Sequence, residues 1–262
     1  MVKQTGAEMP FLDHLEELRW RLIKSLGALA VGIVVAFVLL LRVDVIGILQ
    51  RPIAPLLEGQ QLVFTHPGDP FGIVMKAAFA IGLIAALPVI LYQAWAFLAP
   101  ALYEHEKRVM IPVFTGAVAL FAAGVALSYF VVLPYTLRFL LGFQSASLRP
   151  MITAGDYFGF AISMSLAFGA VFELPILVVA LTALGIVTPH FLRRFRRHAI
   201  IICTVASAFI VPGADIMSLS AMAVPMYFLY EFSIILSVLV YRRREQQAAL
   251  EASHSTEQGA TA

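Results

Sequence analysis

Six long apolar runs constrain this chain more than any other feature: Leu22–Leu41, Ala77–Tyr103, Val109–Leu137, Tyr157–Leu192, Ala199–Ala214 and Ile216–Tyr241. A hydrocarbon core about 30 Å thick takes roughly 20 residues of apolar helix to cross. Each run is therefore a candidate transmembrane helix, with spans expected at about 22–41, 73–97, 109–132, 157–187, 198–212 and 216–238. No segment between them is long enough for a second folded domain, so residues 1–241 read as a single polytopic membrane domain. Hydrophobic residues make up 61% of the chain and charged residues 13%, whereas soluble domains carry about 45–50% apolar residues. The expected fold class is an all-α membrane protein.

One glutamate, Glu173, sits near the middle of the fourth run. An ionisable group at that depth costs about 2.5 kcal/mol or more, so its carboxyl must be neutral, paired or facing a wet cavity. By default such a group marks function, and an interhelical hydrogen bond is the structural alternative. Proline punctuates most spans, at Pro88, Pro112, Pro134, Pro175 and Pro225. Each removes a backbone donor and frees a carbonyl one turn earlier, which kinks the helix. Kinked spans of this kind are expected to curve around a concave face. The fifth span is short: His198–Val211 covers about 21 Å as helix, and the Pro212-Gly213 turn with Asp215 leads straight into the sixth.

Charge sets the expected orientation. With an even number of spans, the termini and the second and fourth loops share one side, and that side carries thirteen lysines and arginines. Four arginines lie on the other side, with Lys76 at the mouth of the second span. Under the positive-inside rule both termini are cytoplasmic. The first run is too long for a signal-peptide core and is read as a retained anchor. The segment Arg42–Phe71 is expected to lie on the outer face as a short helical cap, followed by a turn at His66-Pro67-Gly68-Asp69-Pro70. Residues 242–262 read as a disordered cytoplasmic tail.

Few chemistries fit. The sequence has no phosphate-cradling glycine loop, no H-E-x-x-H and no G-x-S-x-G elbow, so no enzyme is indicated. No histidine has metal-ligand spacing, no cofactor is implied, and the single Cys203 allows no internal disulfide. A net charge of +2 is too small to imply nucleic acid. Acids do stand among the basic residues of the cytoplasmic side. Phe11, Leu15, Leu18 and Leu22 form an apolar stripe, with Asp13, Glu16 and Glu17 off it, and Glu104 and Glu106 precede Lys107-Arg108. One reading is a solvated helix end in which Glu17 pairs with Arg21. The other is an acidic patch that accepts a guanidinium ligand, which a carboxylate grips bidentately.

The stretch Leu91-Tyr92-Gln93-Ala94-Trp95-Ala96-Phe97-Leu98-Ala99-Pro100, continuing through Tyr103-Glu104-His105-Glu106-Lys107-Arg108, resembles the signature of the TatC family. That family supplies the multi-spanning receptor subunit of the twin-arginine protein translocase. His14-Leu15-x-Glu17-Leu18-Arg19, Phe172-Glu173-Leu174-Pro175, Ala223-Val224-Pro225-Met226-Tyr227 and Tyr230-Glu231 resemble it too, in the right order, from about Phe11 to Tyr241. The resemblance implies six kinked helices in a concave, glove-like arrangement with spans 5 and 6 short. It implies a receptor for the twin-arginine signal peptides of folded cargo, with transport across the cytoplasmic membrane driven by proton-motive force. By matching positions, Glu17, Arg19, Phe97 and Glu106 are the expected signal-peptide site. Glu173 matches the intramembrane acid, Asp215 the outer-face acid and Glu231 an acid of span 6. The implied partners are single-span TatA- and TatB-type subunits, other copies of the chain and the lipid bilayer. One departure is Leu219, where the family often has glutamine. The alternative function is a proton-coupled secondary transporter using Glu173, although no inverted repeat is visible.

Overall fold

The computed structural model describes residues 11–57, 61–98, 110–142, 151–210 and 216–260. Among these residues the elements are α1 (Phe11–Leu40), α2 (Val45–Gln50), α3 (Asp69–Leu98), α4 (Met110–Leu127), α5 (Leu133–Gly142), α6 (Ala154–Phe172), α7 (Leu174–Ala183), α8 (Pro189–Ile210) and α9 (Ile216–Ala260). A single 3₁₀ turn at Ala54–Leu56 follows α2, and a π-helical turn at Ser128–Val132 joins α4 to α5. Extended pairing among the described residues is limited to one bridge, Val63 with Thr153.

Five helical stretches are long and apolar enough to cross a membrane: Asp13–Leu40, Asp69–Phe97, Phe114–Gly142, Ala154–Ala183 and Leu219–Arg242. The chain is thus a multi-pass membrane protein. The last stretch is the shortest of the five, at 24 residues. The first half of α8 carries Arg193, Arg194, Arg196 and Arg197, so only its second half resembles a span. The expected fifth span at 198–212 begins inside α8 and runs past the described residues.

Two elements differ from expectation. Helix α9 continues to Ala260, where a disordered tail is expected from composition. Residues 242–252 are nearly all arginine, glutamate, glutamine, alanine and leucine. These are strong helix formers and can extend a helix already nucleated by the preceding span. The contacts also group into two compact units, one of Met1–Asp44 with Val74–Phe114 and one of Val45–Ile73 with Thr115–Ala262. A single domain is expected from the lack of a linker, but α3 itself runs from one unit into the other.

In the first unit α1 packs on α3 at a pair of glycines. A Cβ on Gly32 would lie 2.6 Å from the Gly82 carbonyl oxygen, and one on Gly82 would lie 2.6 Å from the Ile33 nitrogen. Small residues let the two backbones touch, which is how membrane helices gain packing without a hydrophobic drive. Elsewhere α1 is open, with Val31, Val34, Val35 and Val38 all exposed.

In the second unit the prolines act unevenly. Pro134 follows directly on the π turn, where the Leu133 N–H reaches the Ser128 carbonyl; the missing donor at Pro134 explains why the ladder loosens there. Pro175 sits in the first turn of α7, at a break on Glu173. Pro88 and Pro225 lie inside unbroken helices, and Pro112 falls in the first turn of α4, where no donor is lost. The short α2 is fastened by two tyrosines. Tyr129 Oη donates to the Ile48 carbonyl, and Tyr157 Oη donates to the Leu49 carbonyl at 2.6 Å. Both acceptors are last-turn carbonyls, and that of Ile48 also accepts from the Arg51 N–H at 3.1 Å. Helix α6 starts at a capped turn in which Thr153 Oγ1 accepts from the Asp156 N–H at 3.1 Å.

Candidate functional site

The first unit holds most of the expected recognition residues. His14, Glu17 and Arg21 are spaced three and four residues apart on α1, so they share one face. Phe97, in the last turn of α3, stacks its ring on His14 with centroids 4.3 Å apart and planes 15° from parallel. One turn along, Arg21 binds Glu17 Oε1 through both Nε, at 2.9 Å, and Nη2. The other oxygen, Glu17 Oε2, is shielded from solvent and has no hydrogen-bond partner among the described residues; His14 Nδ1 lies 3.9 Å from it, beyond bonding reach. The outcome is a carboxylate half engaged by its own helix and half unsatisfied, beside a stacked aromatic pair.

An unsatisfied buried acceptor is costly, and a charged one more so, unless a donor arrives. A planar guanidinium supplies such a donor, and its face fits against aromatic rings. Arg19 is exposed on α1, and two residues of helical pitch put it about 200° round from Glu17. Glu106 lies outside the described residues, as does Asp215. The part of His14 is missed by sequence reasoning, which gives it no role in the expected signal-peptide site. The available signal was its place three residues before Glu17.

Two more acids lie in the second unit. Glu173 is the one-residue break between α6 and α7, with φ −76° and ψ −13°. Its N–H turns back to the Ala170 carbonyl at 3.2 Å, and its carbonyl accepts from Leu177 at 2.9 Å. Its Oε1 is buried and has no partner among the described residues. Among the described residues, Glu173 therefore makes no interhelical hydrogen bond through that atom. Glu231 behaves oppositely. Its Oε2 accepts from Arg196 Nη2 at 2.7 Å and its Oε1 from Tyr227 Oη at 2.9 Å. This carboxylate is fully occupied in joining α8 to α9, and Tyr230 Oη adds a bond to the Leu192 carbonyl at 2.7 Å. Among the described residues no cluster of histidine, cysteine and acidic side chains could hold a metal ion.

Comparison with known proteins places this arrangement. Residues 13–225 match the family model described as Sec-independent protein translocase protein (TatC). The chain belongs to the TatC family. The Sec-independent protein translocase protein TatC of Aquifex aeolicus is 40% identical over 240 residues, covering 91% of this chain and 98% of that protein. TatCy of Bacillus subtilis is 34% identical over 265 residues, covering 98% and 100%. A crystal structure of the twin arginine translocase receptor TatC superposes with a TM-score of 0.77 at 41% identity, over 87% of this chain and 99% of that one. The same receptor in the detergent DDM gives 0.76. Within a TatC-family chain, His14, Glu17, Arg21 and Phe97 form a half-satisfied acidic site in one unit. Glu173, in the other, has a buried carboxyl oxygen with no partner among the described residues.

Proposed function

We propose that this chain is the signal-peptide receptor and core subunit of a twin-arginine translocase. In this reading it sits in the cytoplasmic membrane with both termini in the cytoplasm and exports folded proteins using the proton-motive force. The observation that carries the site is the shielded Glu17 Oε2, without a partner among the described residues, beside the stacked His14–Phe97 pair. Glu17 and Glu106 together hold the paired arginines of the signal peptide. Arg19 and Phe97 shape the approach. The translocase reading is supported by the family match, and it brings single-span TatA- and TatB-type subunits and further copies of the chain as partners.

The mechanism follows from a difference in magnitude. The Glu17–Arg21 bond joins residues four apart on one helix, and such pairs contribute about 0.3–0.5 kcal/mol. A guanidinium arriving from a ligand and held at a partly dry rim is worth more, because losing one partner of such a pair costs roughly 2–5 kcal/mol. The incoming arginine therefore wins the carboxylate from Arg21 or shares it through the free oxygen. Lysine carries the same charge but lacks the planar fork. Capture of the purified protein on an Arg-Arg signal peptide, compared with a Lys-Lys version, tests this. Stronger capture by Arg-Arg is expected, and equal capture would refute it.

A further inference from the structure

Between the start of α8 and the end of the span in α9 lies a cavity of about 360 Å³, lined by Thr188, His190, Arg193, Val238, Tyr241 and Arg242. The backbone around it is closely specified. Helix α7 ends at Leu184 with Gly185 in the left-handed region, at φ 74°. Gly185 N–H bonds the Thr182 carbonyl and Ile186 N–H the Leu181 carbonyl, both at 3.0 Å. These paired bonds close the helix and reverse the chain. Thr188 then accepts from the Phe191 N–H at 3.3 Å as α8 begins. Thr182 Oγ1 and Ser237 Oγ, 2.9 Å apart and buried, tie α7 to α9 beside the cavity. The walls are therefore set by helix ends that cannot drift independently.

The chemistry of this lining is unusual for the molecule. The grooves along α1 with α3 and along α5 with α9 are almost wholly apolar, whereas this one brings two guanidinium groups, a phenol and a hydroxyl around a valine. Arg193 and Arg242 are exposed, and neither pairs with a carboxylate among the described residues. Arg21 and Arg196, by contrast, are each bound to a glutamate. No acid lines the cavity among the described residues. Two guanidinium groups that line one concave site, without a carboxylate partner among the described residues, fit a phosphate oxyanion. Its volume is within the range of small-ligand sites, about 300–1,000 Å³. Position selects the source: Arg242 closes the apolar stretch Leu219–Arg242, so the cavity opens where hydrocarbon gives way to headgroups. Val238 adds an apolar contact to the lining, and Tyr241 has the amphipathic ring suited to that depth.

The geometry points to a binding site for the phosphate diester of an anionic phospholipid headgroup, formed by Arg193 and Arg242 with Tyr241 and Thr188. This site is independent of the receptor role and would hold a lipid whatever the chain transports. The test uses the full-length protein purified in mild detergent, with native mass spectrometry after adding phosphatidylglycerol, phosphatidylcholine or inorganic phosphate. Retention of phosphatidylglycerol over phosphatidylcholine by about tenfold is expected. Arg193→Gln with Arg242→Gln should abolish that preference. Arg193→Lys with Arg242→Lys should keep part of it, because the charge stays and the fork is lost. Arg194→Gln with Arg197→Gln removes the same charge from α8 outside the cavity and should change retention by less than about twofold. Equal loss in the two glutamine pairs would show only diffuse attraction and overturn the site. Equal retention of both lipids, or displacement of phosphatidylglycerol by millimolar inorganic phosphate, would overturn it as well.

Discussion

Replacing Glu17 by glutamine separates a binding role from a folding role. In the structure Glu17 and Arg21 are each 23% exposed in their side chains, so their bond is partly screened. As an i,i+4 pair it contributes about 0.3–0.5 kcal/mol. For a chain of this size 1 kcal/mol moves the midpoint of unfolding by roughly 2–4 °C. Glu17→Gln should therefore lower Tm by only about 1–2 °C. Binding is another matter, because the variant removes the charge that Oε2 offers to an incoming guanidinium. Even the low end of the truncation range, about 2 kcal/mol, exceeds one decade of affinity. Titration calorimetry with an Arg-Arg signal peptide should show more than about tenfold weaker binding. Arg21→Gln, which removes only the competing partner, should not weaken it. The reasoning fails if Glu17→Gln binds like the wild type, or if Arg21→Gln and Glu17→Gln lose affinity equally; either result makes Glu17 a helix-surface ion pair.

Three further outcomes follow from particular contacts. At Glu173 a neutral glutamine should support far more export than lysine, since only lysine places a cation in the break between α6 and α7; equal failure at equal protein level in an export assay would contradict this. Gly82→Val puts side-chain atoms where the Ile33 backbone nitrogen is 2.6 Å away and should destabilise the protein by about 1–3 kcal/mol, read as a lower midpoint of thermal unfolding in detergent, while Gly27→Ala, with open space around it, should not. Single cysteines at Gln60 and Arg194 in a Cys203→Ala background should be labelled by an impermeant maleimide on intact cells at Gln60 only; the reverse pattern would invert the proposed orientation.

What could be read from the sequence divides along physical lines. Spans are legible because the bilayer fixes a length and an apolar content, and the runs around Val31, Ala86, Phe121, Phe168 and Ile234 all appear as helix. The break at Glu173 is legible because a proline two residues later cannot donate. Pro88 shows the limit of that rule, since its helix passes through without interruption. For the tail, low hydrophobicity argues against a core but says nothing against a helix grown from an existing one, and α9 runs on to Ala260. At the candidate site, the pairing of Glu17 with Arg21 follows from spacing within one helix. The stacking of His14 on Phe97 joins residues 83 positions apart, and a single sequence carries no signal for such a contact. For the same reason the sequence assigns Glu231 only to span 6 and names no partner for it, although Arg196 and Tyr227 occupy both of its oxygens.

The π turn at Ser128–Val132 makes the third membrane stretch unusual in how it would respond to a change of length. A wide turn holds one residue more than the α-helical pitch requires, so deleting a residue there need not shorten a loop or strain a connection. It would instead restore the regular pitch within the turn and leave the residues on either side facing as they do. Leu133, Thr136 and Leu137 would stay buried and Tyr135 exposed. The tyrosine that fastens Ile48 sits inside the turn itself, so its anchor is the contact such a deletion would disturb. Within this stretch the turn is a reserve of one residue, whereas the same deletion in a regular helical turn would rotate everything beyond it by roughly 100°.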